Sequence, residues 1–201
     1  PERIHACLGP DIKLMVTLRE PISRAFSGYL YLRKHGLAAP TFRETTKTAP
    51  ELVDEGRYAT HLRSYLQYFK QERLHVALFD DLQDDPQAFL DTTTDWIGVT
   101  RQELTAAQRQ ARLPASKARW LPLAVLAKRG ANWVRRHDGA DLVGSLKRSP
   151  VVQRLLYQPL GDDRPEMPPE DVAFMHEQLD AEIAGVESDF GIDLRRRWDW
   201  P

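Results

Sequence analysis

A single cysteine, Cys7, stands in the 201 residues of this chain. It precludes an intrachain disulfide framework and suits a reducing compartment. No apolar run approaches the roughly 20 residues that a membrane-spanning helix needs, and nothing resembles a secretory leader. Net charge is almost absent: 28 Lys and Arg against 29 Asp and Glu leave −1, which excludes a generally basic nucleic-acid coat protein. There is no glycine-rich phosphate loop, no Gly-Lys-Thr run and no Gly-x-Ser-x-Gly elbow, so serine-hydrolase chemistry has no support. The six histidines, His5, His35, His61, His75, His137 and His176, include no i,i+4 pair and have no cysteine set beside them. No metal site is expected. The acidic group Asp80, Asp81, Asp84 and Asp85 lacks the alternation and the glycine of a calcium loop; it suits a turn after a strand and the cap of the next helix. Internal repeats, heptads and low-complexity tracts are missing too.

What is present alternates strand and helix. Residues 12–18 form an apolar run that predicts a buried strand, and 21–35 a helix closed near Gly36. Residues 37–55 hold Pro40 and Pro50 and predict a loop with room for one short helix. Tyr58, Leu62, Tyr65, Leu66 and Phe69 recur at helical spacing. Leu74 to Phe79 predicts a second buried strand, and Pro86 opens a helix running to about Trp96, with Gly98 behind it. Strands alternating with helices argue for an α/β fold with a parallel sheet. Towards the end, Pro168-Pro169-Glu170 opens a helix whose Val172, Met175, Leu179, Ile183, Val186 and Phe190 form a core stripe, and Gly191 ends it. Arg195, Arg196 and Arg197 are expected in solvent, with Trp198 and Trp200 packed on the body. Between Leu104 and His137 no acid occurs, while eight arginines and lysines do. That is either a positive surface or a helical face answered by acids from elsewhere.

One junction concentrates chemistry. From Lys13 to Ser27 the first strand runs into Arg19, then Pro21, then a helix with Ser23, Arg24 and Ser27. Proline suits the first helical turn because its missing N–H would have no partner there, and Glu20 or its neighbour can cap. A fixed cation, free backbone N–H groups and hydroxyls are then expected to converge on one anion, a phosphate. The plainer alternative makes Arg19 a surface ion pair.

Arg19-Glu20-Pro21 with Arg24 and Ser27 resembles the 3′-phosphate-binding segment of sulfotransferases that use 3′-phosphoadenosine 5′-phosphosulfate (PAPS), above all the bacterial and heparan-sulfate-type members. Gly56-Arg57-Tyr58-Ala59-Thr60-His61-Leu62, Leu74 to Leu82, Asp85-Pro86, Trp96-Ile97-Gly98-Val99 and the closing Phe190 to Leu194 with Trp198 follow in that family's order. The likeness runs nearly end to end but is loose over about residues 100–165. It implies a three-layer, P-loop-like α/β fold with a mainly parallel central sheet and a helix-rich C-terminal half. It also implies one domain over 1–201, with the core strands and the 3′-phosphate segment in about 1–100 and a helical part in about 101–201.

The resemblance assigns the 3′-phosphate to Arg19 and Ser27, with Ser23 and Arg24 as supports; Arg24 can instead tie the helix to neighbouring acids. Ser116, Lys117 and Arg119, in a proline-flanked loop, are candidates to close over the nucleotide. Tyr58 and His61 are candidates on the acceptor side. The family's phosphosulfate loop, its lysine and its base have no counterpart in the sequence, so an N-terminal truncation is expected, and negligible transfer from a molecule that ends here. The implied activity moves a sulfuryl group from PAPS to a hydroxyl or amine of a carbohydrate, lipid or small metabolite, without metal or nucleic acid, in a cytoplasmic setting. The alternative is a non-catalytic module that binds a nucleotide or a partner on a degenerate sulfotransferase fold.

Overall fold

In a computed structural model the described residues are 1–109 and 165–201, with the backbone of two short strands between them. Contacts divide the chain into two compact units. The first holds Pro1–Phe26, Ala49–Ala111 and Pro168–Pro201, and the second Ser27–Thr48 and Arg112–Met167.

In the first unit, helix α1 (Glu2–Leu8) leads to strand β1 (Leu14–Leu18). Strand β2 (Leu74–Leu78) pairs with β1 in parallel, from Leu14 opposite Leu74 to Leu18 opposite Leu78. The parallel sheet expected from the alternating pattern is thus present, with two strands among the described residues. Leu18, Leu74, Ala77 and Leu78 are buried. Helix α2 (Pro21–Lys34) starts three residues after β1, while α4 (Glu51–Asp54) and α5 (Tyr58–Leu66) come before β2.

Helices α6 (Phe79–Asp84) and α7 (Pro86–Ile97) follow β2 directly. Asp85 caps α7 by accepting from the Gln87 and Ala88 N–H groups, and Pro86 takes the first helical position, where no donor is needed. Gly98, at φ 87°, closes the same helix in the left-handed conformation that glycine adopts without a Cβ penalty.

The long helix α9 (Pro169–Phe190) supplies the core stripe; helix α8 (Ala106–Arg109) precedes it among the described residues. Met175, Leu179, Ile183 and Val186 are fully buried at three- and four-residue spacing. Each such side chain contributes about 1.5–3 kcal/mol by leaving water. Helix α10 (Leu194–Trp198) then folds back, capped by Asp193, and buries Leu194, Trp198 and the following Trp200. Two of the arginines expected in solvent also carry ion pairs. Arg195 pairs with Asp180 and Glu187, and Arg197 with Asp81 and Asp84, while Arg196 and Arg197 are both exposed. The aspartates after β2 therefore do more than close a turn: they anchor the chain's last helix.

In the second unit the end of α2 forms a Schellman turn. Gly36 at φ 65° donates to the Arg33 carbonyl and Leu37 to that of Leu32. The loop expected after it, which had room for one short helix, holds α3 (Phe42–Thr48), and α4 is a second within 37–55. Thr41 and Glu44 build the helix start: the Glu44 N–H donates to Thr41 Oγ1, and the Thr41 N–H to Glu44 Oε2. Phe42 is buried edge-on against Tyr29, whose hydroxyl donates to the Pro40 carbonyl at 3.0 Å. Strands β3 (Ser116–Ala118) and β4 (Tyr157–Pro159) pair antiparallel.

Candidate functional site

Strand β1 ends at Leu18 and delivers Arg19 to a turn of two residues before α2 begins. Glu20 governs that turn. Its carboxylate accepts the backbone N–H of Ile22 at 2.8 Å and of Ser23 at 2.5 Å. Pro21 has no N–H, and the Arg24 N–H donates to the Glu20 carbonyl at 3.0 Å. The first-turn donors of α2 are thus satisfied by one residue. This corrects the expectation that free backbone N–H groups would meet an anion here. A side-chain carboxylate already occupies the positive end of the helix, where it is favoured by both hydrogen bonding and the helix dipole.

Arg19 supplies the cation. Its guanidinium carbon lies 5.3 Å from the centre of the Phe79 ring, a cation–π contact at the residue that follows β2. The parallel register explains the pairing, since Leu18 and Leu78 are opposite each other and the residues after them emerge side by side. The Arg19 carbonyl, beyond the last paired position of the ladder, accepts the Tyr58 hydroxyl at 2.7 Å. Both ends of the arginine are therefore held, and the side chain is half-buried.

Tyr58 is buried, and burial pushes its phenol above the ordinary tyrosine range; the nearby Arg24 cation offsets part of that. Its hydroxyl is the one that donates to the Arg19 carbonyl. His61, three residues on, is exposed, with Nε2 2.8 Å from the Asp54 carbonyl oxygen. The two acceptor-side candidates thus share one helix but differ in exposure.

Arg24 ties the helix to its neighbours, the second of the two roles the sequence allowed. It donates through Nη1 to Glu55 and through Nη2 to the Leu52 carbonyl, each at 2.7 Å. Its Nε is buried with no hydrogen-bond partner among the described residues. Ser23 is exposed on the first turn of α2, and Ser27, one turn further on the same helix, is half-buried. Ser116 and Lys117 fall in β3, and Arg119 lies outside the described residues.

Sequence reasoning missed the brace around Arg19. Trp198, in α10, has its ring 6.3 Å from that of Tyr58 and donates through Nε1 to Asp80 at 3.0 Å. Asp80 adjoins Phe79, the ring under Arg19, so contacts run from the arginine's backbone through the rings of Tyr58, Trp198 and Phe79 and back to its guanidinium.

Among the described residues no group of three histidine, cysteine or acidic side chains could hold a metal ion, and no helix is long and apolar enough to cross a membrane.

Residues 5–136 match the family model described as "Sulfotransferase domain". Heparan sulfate glucosamine 3-O-sulfotransferase 6 of Homo sapiens is 33% identical over 109 residues, which cover 50% of this chain and 32% of that protein. Bifunctional heparan sulfate N-deacetylase/N-sulfotransferase 1 of Xenopus laevis is 28% identical over 114 residues, 50% of this chain and 13% of that one. The chain thus matches about a third or less of the length of these relatives. A crystal structure of a sulfotransferase from Alicyclobacillus acidocaldarius superposes with a TM-score of 0.60 at 20% identity, covering 98% of this chain and 61% of the other. That likeness shows a shared fold.

Proposed function

Because the chain belongs to the sulfotransferase domain family, we propose that it works in the transfer of a sulfuryl group from PAPS to a hydroxyl or amine of a carbohydrate, lipid or small-metabolite acceptor, and that its strand–turn–helix from Leu14 to Lys34 holds the nucleotide's 3′-phosphate. The named heparan sulfate relatives support the carbohydrate among these acceptors. PAPS supplies an activated sulfuryl group whose departure leaves 3′-phosphoadenosine 5′-phosphate. The residues of this chain bind and orient.

Arg19 is the phosphate's cation. A guanidinium presents a planar fork matching two phosphate oxygens, and one packed on an aromatic face loses less freedom on binding than a mobile one. Ser27, and more weakly the exposed Ser23, add neutral hydroxyl donors. Glu20 keeps the helix-end amides occupied, which leaves phosphate recognition to Arg19 and the serines. Arg24 is spent on Glu55 and Leu52 and serves the fold of the turn. Positioning of this kind supports an in-line displacement by fixing the donor relative to the acceptor.

The observation that carries the reading is the double anchoring of Arg19, by Tyr58 at its carbonyl and Phe79 under its guanidinium. Calorimetry tests it. The protein is expected to bind 3′-phosphoadenosine 5′-phosphate more tightly than adenosine 5′-phosphate, and Arg19→Ala to erase the difference. Equal binding of the two nucleotides by the unaltered protein overturns the assignment.

A further inference from the structure

We propose that the open edge of β2, with the groove beside it, docks an extended segment of a partner protein that carries lysine or arginine. The inference is independent of the nucleotide assignment, since Arg19, Ser23 and Ser27 do not line the groove.

The sheet supplies the first argument. β2 pairs with β1 along one edge, and among the described residues no strand pairs with its other edge. A strand without a neighbour on one side presents backbone N–H and C=O groups there, a template for one more strand. A cavity of about 330 Å³ lies against β2, lined by the consecutive residues His75, Val76 and Ala77 and by none of β1. Successive side chains of a strand point to opposite faces. A cavity that meets three in a row therefore runs along the edge rather than over one face. Its volume falls within the about 300–1,000 Å³ of ligand pockets, which is too large for a packing defect.

The opposite wall is α7, whose Ala88, Phe89 and Thr92 line the cavity at helical spacing. Ala88 and Thr92 are small and exposed, so they leave room for a backbone. Phe89, half-buried, offers an apolar ring to the side chains of a strand lying there.

Charge selects the occupant. Asp81, Asp84 and Asp85, all exposed, line the groove at the end where β2 runs into α6, and no lysine or arginine does. Arg197 answers Asp81 and Asp84 with a single charge. Asp85 meets both of its α7 amides through one oxygen, Oδ1. Three carboxylates against one guanidinium leave the mouth negative, and a lysine or arginine on an added strand complements it. Strand addition of this kind draws affinity from main-chain hydrogen bonds and selectivity from side chains.

A peptide array probed with the full chain tests the proposal. Hexapeptides alternating lysine with valine, isoleucine, threonine or phenylalanine are expected to capture the protein, and the same peptides with glutamate for lysine are not. For the best lysine peptide, fluorescence anisotropy should show saturable binding. A central proline, which lacks the N–H that a ladder needs, should weaken it about tenfold. Ala88→Arg fills the groove from an exposed helix position, reverses its charge and should abolish binding. Asp85→Asn keeps an oxygen for the helix cap but removes one charge, and should weaken binding about two- to fivefold, the size of an exposed ion pair. Circular dichroism checks that the variants fold; should Ala88→Arg fail to, Thr92→Arg one turn further on is read in its place. Capture of no lysine peptide, equal capture of the glutamate set, or unchanged affinity in either variant overturns the proposal.

Discussion

Gly185 on α9 lies so close to Ala59 on α5 that a Cβ built on it would sit 2.7 Å from the alanine's own Cβ. Neither atom can rotate away, because both are fixed to helical backbone. A hydrogen in place of a methyl lets the two helices approach, and that approach brings Thr60 to Glu182 and Arg63 to Asp189.

Gly185→Ala is therefore expected to destabilise the protein, although alanine is the better helix former. Propensity favours the alanine by about 1 kcal/mol, whereas overpacking a tight contact costs about 1–3 kcal/mol. A net loss of up to about 2 kcal/mol should appear in urea unfolding. The double variant Gly185→Ala with Ala59→Gly moves the methyl to the other helix and should recover part of it. A single variant as stable as the parent would mean that the helices separate at no cost.

Glu20→Ala removes the carboxylate that caps Ile22 and Ser23. Loss of an N-cap typically costs about 0.5–2 kcal/mol, and two amides sharing one cap place the expected value near the middle, about 1 kcal/mol. Thermal unfolding monitored by far-UV circular dichroism checks it. Glu20→Asp shortens the reach by one methylene and should recover only part of the loss. A melting point unmoved by Glu20→Ala would show that water satisfies the helix start equally well.

Arg19→Ala and Ser27→Ala should differ in size. A hydrogen bond to a charged group is worth about 1.5–3 kcal/mol and a neutral donor about 0.5–1.5 kcal/mol. The 3′-phosphate preference, read as the difference in binding free energy between 3′-phosphoadenosine 5′-phosphate and adenosine 5′-phosphate, should shrink in that order. Ser23→Ala should have the smallest effect of the three. Equal losses at Ser23 and Ser27 would place the phosphate nearer the helix start than the family resemblance does.

The order of the elements was legible because their signals are local. Apolar runs mark β1 and β2, prolines and glycines mark the ends of α2, α7 and α9, and the stripe from Met175 to Val186 follows helical periodicity. Arg19 could be nominated for the same reason: a cation at a strand end before a proline is visible in sequence. The capping box of Thr41 and Glu44 was equally local, and reading it would have placed the start of α3 within the loop. Other contacts leave no such trace. Periodicity marks Tyr58 as a core residue but cannot say that its hydroxyl reaches a carbonyl 39 positions earlier. Likewise the sequence marks Arg197 as one of three solvated arginines but cannot say that the fold brings Asp81 and Asp84 to it. Glu20 was readable as a cap, yet not as the reason that the helix end is closed to an outside anion, since that depends on which amides its two oxygens reach.

His75 gives the fold a pH dependence whose sign is set by burial. It lies on β2 with its ring stacked on Trp96 at 5.3 Å, and burial lowers its pKa below 6.5. Asp81, Asp84 and Asp85 line the same cavity and would favour the charged ring, but each has another partner: Arg197 for the first two, the start of α7 for the third. Burial therefore wins. With the folded value depressed, the unfolded chain takes up the proton first, so the contribution is fully present above pH 6.5 and is lost as the pH falls through the folded value. Urea midpoints are expected to drop on acidification from about pH 7 to about pH 5. His75→Phe, which keeps an aromatic ring against Trp96 but cannot titrate, should show a smaller drop over the same window. Carboxylates act on both proteins alike, so the difference between the two profiles isolates the histidine. Parallel profiles would mean that His75 has the same proton affinity folded and unfolded, and that the sheet face carrying it is open to water.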